Sequence, residues 1–243
     1  MNLILDFGNT ITKVAVFSGE EALHTERISQ PGISYLSGLF SQYKGISRCI
    51  ISAVGGFPAE FFDYLANTLD QCIELDYTTP LPITNLYKTP TSLGYDRIAG
   101  VVAASSIFPG STALVIDAGS AITYDLINDK AEFTGGNISP GATMRAKALN
   151  SFTQKLPFIK LDEEFNLLGN STETAINSGI LNGILFEMDS YIDRLKEIYP
   201  ELKVILTGGD TYLFDKKLKN HIFVDLNLNL KGLNRILLHN AIK

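Results

Sequence analysis

Basic residues are scarce and scattered: 20 lysines and arginines against 26 aspartates and glutamates leave a formal net charge of −6. No basic cluster stands out along the 243 residues. That argues against nucleic acid or an acidic membrane as partner, since both are gripped through lysine and arginine. Long apolar runs are missing too. No stretch approaches the roughly 20 residues that span a bilayer. The opening "MNLILDFGNT" has no basic n-region and is interrupted by Asp6, unlike a secretory signal. There are only two cysteines, Cys49 and Cys72, too few for a disulfide framework. Each lies in an apolar stretch ("RCIISAV", "QCIELD"), as a buried thiol in a reducing compartment would. The three histidines, His24, His221 and His239, show no metal-ligand spacing and read as surface or cap residues. With 45% hydrophobic and 19% charged residues, the expectation is a packed, soluble, cytoplasmic protein of one large or two ordinary domains.

What the chain does have is a repeat. "LILDFGNTIT" at Leu3–Thr12 returns as "LVIDAGSAIT" at Leu114–Thr123. Both are apolar residues, an aspartate, a glycine two positions on, a small polar residue, then Ile-Thr. The order of elements repeats as well. Asn2–Asp6, Thr12–Phe17 and Ala22–Ile28 read as strands, with Gly8-Asn9 as hairpin-turn chemistry. A helix over Ile33–Tyr43, a strand over Arg48–Ala53, a helix over Ala59–Leu69 opened by Pro58 and a strand over Cys72–Asp76 follow. "DYTTPLPITNLYKTPTSLG" is loop, Tyr95–Ile107 a buried helix, and "FPG" at Phe108–Gly110 a domain boundary. Strands are then expected at Ala113–Asp117, Ile122–Ile127, Ala131–Asn137, Lys203–Thr207 and Ile222–Asp225. Helices are expected at Ala142–Asn150, Glu173–Ile198, Thr211–Lys217 and Asn234–Ile242. The reading is an α/β chain of two duplicated domains, 1–109 and 110–243, with a ligand cleft between them.

The repeated motif sets an aspartate at a strand end beside a glycine turn whose backbone N–H groups a phosphate can reach. Asn9, Thr10, Ser120 and Thr123 add hydroxyl and amide donors. A carboxylate there needs a cation before it can meet phosphate, and Mg²⁺ with its waters suits best. Two such hairpins can hold a nucleoside triphosphate. "VILTGGD" at Val204–Asp210 adds a strand running into a flat Gly-Gly turn, fit for an adenosine. Phosphate hairpin, phosphate hairpin and adenosine turn, in that order, resemble the actin-like ATPase superfamily of ribonuclease H-like domains, which includes sugar and acetate kinases. "GYDRIAG" at Gly94–Gly100 places a carboxylate and a guanidinium at the mouth of a helix. Asp96 can accept a hydroxyl proton, and Arg97 can pair with a carboxylate on the same acceptor.

Five stretches in order, "DFGNTITK" (Asp6–Lys13), "GYDR" (Gly94–Arg97), "DAGSAIT" (Asp117–Thr123), "GGNISPG" (Gly135–Gly141) and "ETAI" (Glu173–Ile176), resemble type III pantothenate kinase over nearly the whole chain. The resemblance implies ATP-dependent phosphorylation of pantothenate's primary hydroxyl, the first step of coenzyme A synthesis. It implies that Asp6, Phe7, Gly8, Asn9, Thr10, Ile11, Thr12 and Lys13 line the ATP phosphates, and that Ser120 contacts ATP. Serine stands there where the family usually has threonine, keeping the hydroxyl. It further implies Asp96 as proton acceptor, Tyr87, Gly94, Tyr95, Arg97 and Thr174 around pantothenate, and Asp117 at a monovalent cation, K⁺ or NH₄⁺. A homodimer is implied as well. The other readings are an ATP-binding regulator without catalysis and a kinase for another small hydroxyl or acid acceptor. "GGNISPGATMRAKAL" reads as a rigid turn into a helix that packs against the cleft floor or a partner.

Overall fold

The computed structural model describes residues 1–8, 11–53, 56–57 and 59–241. Asn9, Thr10 and Pro58, which the sequence reading used, lie outside that set. Five strands come first, interleaved with two helices: β1 (Asn2–Phe7), β2 (Thr12–Ser18), β3 (Glu21–Ile28), α1 (Ile33–Gln42), β4 (Arg48–Ala53), α2 (Ala59–Thr68) and β5 (Gln71–Glu74). β1, β2 and β4 are apolar on both faces and form the middle of a sheet. Charged β3 and short β5 take its edges, as strands do where backbone groups meet solvent. The order is β3-β2-β1-β4-β5, antiparallel across β1–β2 and β2–β3, parallel across β1–β4 and β4–β5.

Because alternate residues of a strand point to opposite faces, Leu3, Leu5, Val14, Val16 and Ile51 meet Leu36, Leu39, Phe61 and Leu65 of α1 and α2. Cys49 shares that face and stands directly opposite Cys72 on β5, their sulfurs 2.6 Å apart as free thiols. The hydrogen bond with Cys72, then burial, pushes the Cys49 thiol well above its ordinary pKa. Ile4, Ala15, Phe17 and Ile50, buried apolar residues of the opposite face, need a second layer.

That layer comes from two segments far apart in sequence. A short extended pair β6 (Thr84–Asn85) and a single 3-10 turn, Pro90–Ser92, lead into α3 (Tyr95–Ile107), buried from Arg97 to Ala104. The last helix of the chain, α6 (Leu228–His239), packs on α3, β1, β2 and β4. Gly232 permits the α3–α6 crossing, since a Cβ there would run into the Ala99 carbonyl. The compact units are therefore Met1–Ile107 with Asn227–Lys243, and Phe108–Leu226. The linear boundary at Phe108–Gly110 marks where the second unit starts, but the chain returns to the first to close it. α6 also begins six residues ahead of the expected Asn234. Two buried asparagines, Asn229 and Asn234, interrupt its apolar period. Asn234 accepts from Asn2 Nδ2 at 2.8 Å and donates to the Gly19 carbonyl at 2.8 Å.

The second unit runs β7 (Ala113–Ala118), β8 (Ala121–Ile127), β9 (Glu132–Pro140), α4 (Ala142–Phe152), α5 (Thr172–Ile198), β10 (Lys203–Thr207) and β11 (Phe223–Val224). Its strands lie in the order β11-β10-β7-β8-β9, with β7–β8 and β8–β9 antiparallel and β7–β10 and β10–β11 parallel. Position for position this is the topology of the first unit. Ile176, Ile180, Ile184, Met188 and Ile192, four residues apart, lay one stripe of α5 into the core with Leu114, Ile116 and Leu206. The helix expected over Thr211–Lys217 is only a 3-10 turn at Thr211–Leu213. Among the described residues, no helix is long and apolar enough to cross a membrane.

Candidate active site

In the first unit, Asp6 is the penultimate residue of β1, flanked in register by Lys13 on β2 and Ser52 on β4. Ser52 Oγ donates to Asp6 Oδ1 at 3.1 Å. The carboxyl is almost wholly buried, and burial raises its pKa; Lys13 and the Ser52 hydrogen bond act against that rise, while the charge of Asp96 adds to it. Asp6 and Asp96 are therefore close enough to feel each other. Phe7, one residue on, turns to the other face, stacking on Phe57 at 5.5 Å and meeting Phe61 edge-on at 6.0 Å. Its ring packs the end of β1 onto α2, and its backbone lies in register between Thr12 on β2 and Ala53 on β4. Gly8 N–H donates to the Ile11 carbonyl at 3.2 Å, and a Cβ on Gly8 would press on that oxygen at 2.9 Å. Thr12 is buried, Ile11 exposed and Lys13 half-buried.

α3 carries the residues expected around the acceptor. Asp96, in its first turn, takes the Arg97 backbone N–H on Oδ1 at 2.8 Å. Gly94 has no room for a Cβ beside that oxygen. Arg97 is buried, its guanidinium 5.2 Å from the Tyr87 ring centre and its Nη1 3.4 Å from the Tyr87 hydroxyl. Tyr87 is set by its own N–H on Asn85 Oδ1 at 3.0 Å. Tyr95 is half-buried, and burial, then Asp76 and Glu74, raises its pKa. Asp6, Lys13, Tyr87, Asp96 and Arg97 thus come from two strands, the loop after β6 and a helix start within one unit.

In the second unit, Asp117 is the penultimate residue of β7, opposite Thr123 on β8 and Thr207 on β10. The turn Gly208-Gly209 is fastened over it: Asp210 N–H donates to the Ala118 carbonyl at 2.9 Å, and Thr211 Oγ1 donates to the Gly208 carbonyl at 2.9 Å. Gly208 has φ +101°, and a Cβ on it would lie 2.5 Å from Asp117 Oδ1. Asp210 itself is half-buried, which raises its pKa. Ser120 is exposed, and its carbonyl accepts the Gly141 N–H at 3.1 Å. Thr174 lies at the start of α5, where its hydroxyl accepts the Ser171 and Asn170 N–H groups at 2.9 and 3.0 Å in a capping box. That hydroxyl's first task is to cap the helix.

Gly141 closes the motif "GGNISPG" and reads as part of a rigid turn, whereas Ser52, Arg145 and Glu187 were not singled out from sequence. Ser52 had a signal, a polar residue closing the apolar run "RCIIS". Arg145 and Glu187 had none, because they meet only through contacts between distant segments. Glu187 is held below its ordinary pKa: burial alone would raise it, and hydrogen bonds from Arg145, Ser139 and Tyr124 outweigh that. Among the described residues no three of His, Cys, Asp and Glu converge as a closed metal cage would need. Asp6 with Asp96, and Asp117 beside two threonines, are hard oxygen donors of the kind a partly hydrated Mg²⁺ or an alkali cation takes.

Residues 2–194 match the family model for type III pantothenate kinase. The type III pantothenate kinase of Phocaeicola vulgatus is 49% identical over 240 residues, covering 99% of each chain. That of Cytophaga hutchinsonii is 43% identical over 242 residues, covering 99% of this chain and all of its own. Among solved structures, the activator of 2-hydroxyisocaproyl-CoA dehydratase from Clostridium difficile, which carries bound ADPNP, aligns with a TM-score of 0.54 at 14% identity, covering 98% of this chain and 93% of its own. A glucokinase from an Antarctic psychrotroph aligns at 0.53 and 14%, over 99% of both chains. These two likenesses show the duplicated actin-like fold alone; the family comes from sequence. With 49% identity along its whole length and the motifs in their expected order, the chain belongs to the type III pantothenate kinase family.

Proposed function

We propose that this protein transfers the γ-phosphoryl group of ATP to the primary hydroxyl of pantothenate, opening coenzyme A synthesis. The observation that carries this reading is the placement of Asp96 and buried Arg97 at the start of α3, in the same unit as the Asp6 hairpin. Phosphoryl transfer passes through a loose transition state, so positioning and charge neutralisation dominate. Arg97, braced by Tyr87, pairs with the pantothenate carboxylate. Asp96 orients the hydroxyl and takes its proton late, since a carboxylate is a weak base toward an alcohol. Lys13 and the backbone around Gly8 meet phosphate oxygens. Gly94, Tyr95 and Thr174 border the acceptor, and Ser120 contacts ATP.

Asp6 suits Mg²⁺ through its waters, and Asp117 suits K⁺ or NH₄⁺. Bound there, these ions supply the positive charge that an acidic protein with two anionic substrates otherwise lacks. A homodimer fits the apolar groove along α4 and α5 (Leu149, Phe152, Leu156, Ile176, Ile180), a cavity of about 800 Å³ beside a Phe152 that is 88% exposed. The test of the reaction is Asp96→Asn. We expect ATP binding to persist while kcat with pantothenate falls about 10²-fold or more, with other small hydroxyl acceptors inert in the wild type. Wild-type turnover in the variant would leave Asp96 a structural role alone, at the start of α3.

A further inference from the structure

The stretch "GGNISPGATMRAKAL" carries more than a turn into a helix. Arg145 on α4 places Nη2 2.6 Å from Glu187 Oε2 on α5 and 3.0 Å from Ser139 Oγ, while its Nε donates to the Pro140 carbonyl at 2.8 Å. Glu187 Oε1 accepts the Tyr124 hydroxyl at 3.0 Å, and Tyr124 belongs to β8, the second strand of the Asp117 hairpin. One carboxylate therefore ties that hairpin strand to the corner between β9 and α4. At the corner, Arg145 N–H donates to the Gly141 carbonyl at 3.0 Å, and Gly141 N–H donates to the Ser120 carbonyl at 3.1 Å. A Cβ on Gly141 would lie 2.5 Å from the Ser120 oxygen, so the corner presses directly on the hairpin turn.

A pair with side chains 22% and 25% exposed contributes little to stability as an ion pair. As a geometric device it is well made. The planar guanidinium reaches three acceptors on two elements at once, and an ammonium cannot copy that fork. We propose that Arg145 and Glu187 are positioning residues: they hold Ser139–Gly141 against Gly119–Ser120 and so fix where the second hairpin turn presents itself to ATP. This rests on the reading of Ser120 as an ATP contact.

The test uses the full-length protein, with a non-hydrolysable ATP analogue and Mg²⁺ titrated by calorimetry beside steady-state kinetics and thermal melts. Glu187→Gln and Arg145→Lys should each weaken analogue binding by roughly tenfold, the scale on which outer partners of a ligand site act. KM for ATP should rise in step, while kcat and KM for pantothenate stay within about threefold. The double variant should be no worse than the worse single one, because both break the same brace. Tyr124→Phe, which removes one hydroxyl, supplies a milder reading of the same effect should either variant fail to fold. Folded variants with a lowered melting temperature but wild-type analogue affinity would overturn the proposal. Ser120→Leu separates the two layers of the argument. If it destroys analogue binding while the brace variants keep it, the hairpin reading stands and the brace falls. If it binds as the wild type does, the hairpin reading falls and the proposal goes with it.

Discussion

Gly208 and Gly209 stand side by side in one turn, yet substitution should treat them in opposite ways. An alanine at 208 must adopt φ near +101°, in the left-handed region, at a cost of roughly 1–2 kcal/mol. Its Cβ would also lie 2.5 Å from both the Ala118 carbonyl carbon and Asp117 Oδ1, where ordinary contact begins about an ångström further out. The neighbours are the end of a central strand and a carboxylate fixed at its tip, so relief requires moving β7 or the turn, for about 1–3 kcal/mol more. The sum, roughly 2–5 kcal/mol, corresponds to a fall in Tm on the order of 10 °C for a chain of this size. Gly209 has no atom within 4 Å of a built Cβ and no left-handed φ. Gly209→Ala should therefore melt within about 2 °C of the wild type. Thermal unfolding followed by far-ultraviolet circular dichroism measures both. A Gly208→Ala protein as stable as the wild type, or a Gly209→Ala protein as damaged as its neighbour, would refute the claim that steric contact with the Asp117 hairpin sets this turn.

Asp6→Asn should weaken Mg²⁺-dependent turnover, read from rate against Mg²⁺ concentration, while stabilising the ligand-free protein near neutral pH. The sign follows from the raised pKa of Asp6. Between the ordinary carboxylate value of about 3.9 and the raised one, the folded state holds the proton that the unfolded state has lost. Wild-type stability therefore falls as pH rises through that window, and the advantage of the asparagine variant should vanish on acidification toward pH 4. An advantage independent of pH would assign the effect to packing instead. For Asp117, wild-type activity should rise when K⁺ replaces Na⁺ at constant ionic strength, which holds screening fixed. Asp117→Asn should lose most of that rise; K⁺ activation surviving in the variant would move the cation elsewhere.

The duplication was legible in the letters, because a buried strand, an aspartate and a glycine turn are local chemistry that must be spelled out twice to be built twice. The central strands and the long helices followed from apolar period and turn residues in the same way. Three things were decided only by tertiary structure. The closing helix joined the first unit because the second face of that sheet, with Ile4 and Ile50, still lacked part of its cover. No local pattern reports a vacancy more than two hundred residues away. The partners of Asp6, Asp117 and Gly141 were fixed by which strands and corners lie side by side. Finally, the two copies of "IT" do not occupy equivalent places. Gly8 N–H reaches Ile11, so Thr12 pairs with Phe7 and Lys13 with Asp6; Gly119 N–H reaches Ala121, so Ile122 pairs with Ala118 and Thr123 with Asp117. The first aspartate thus faces an ammonium and the second a hydroxyl. A turn one residue longer shifts a ladder by one and exchanges the faces of a strand, so identical letters became different chemistry through hydrogen-bond closure alone.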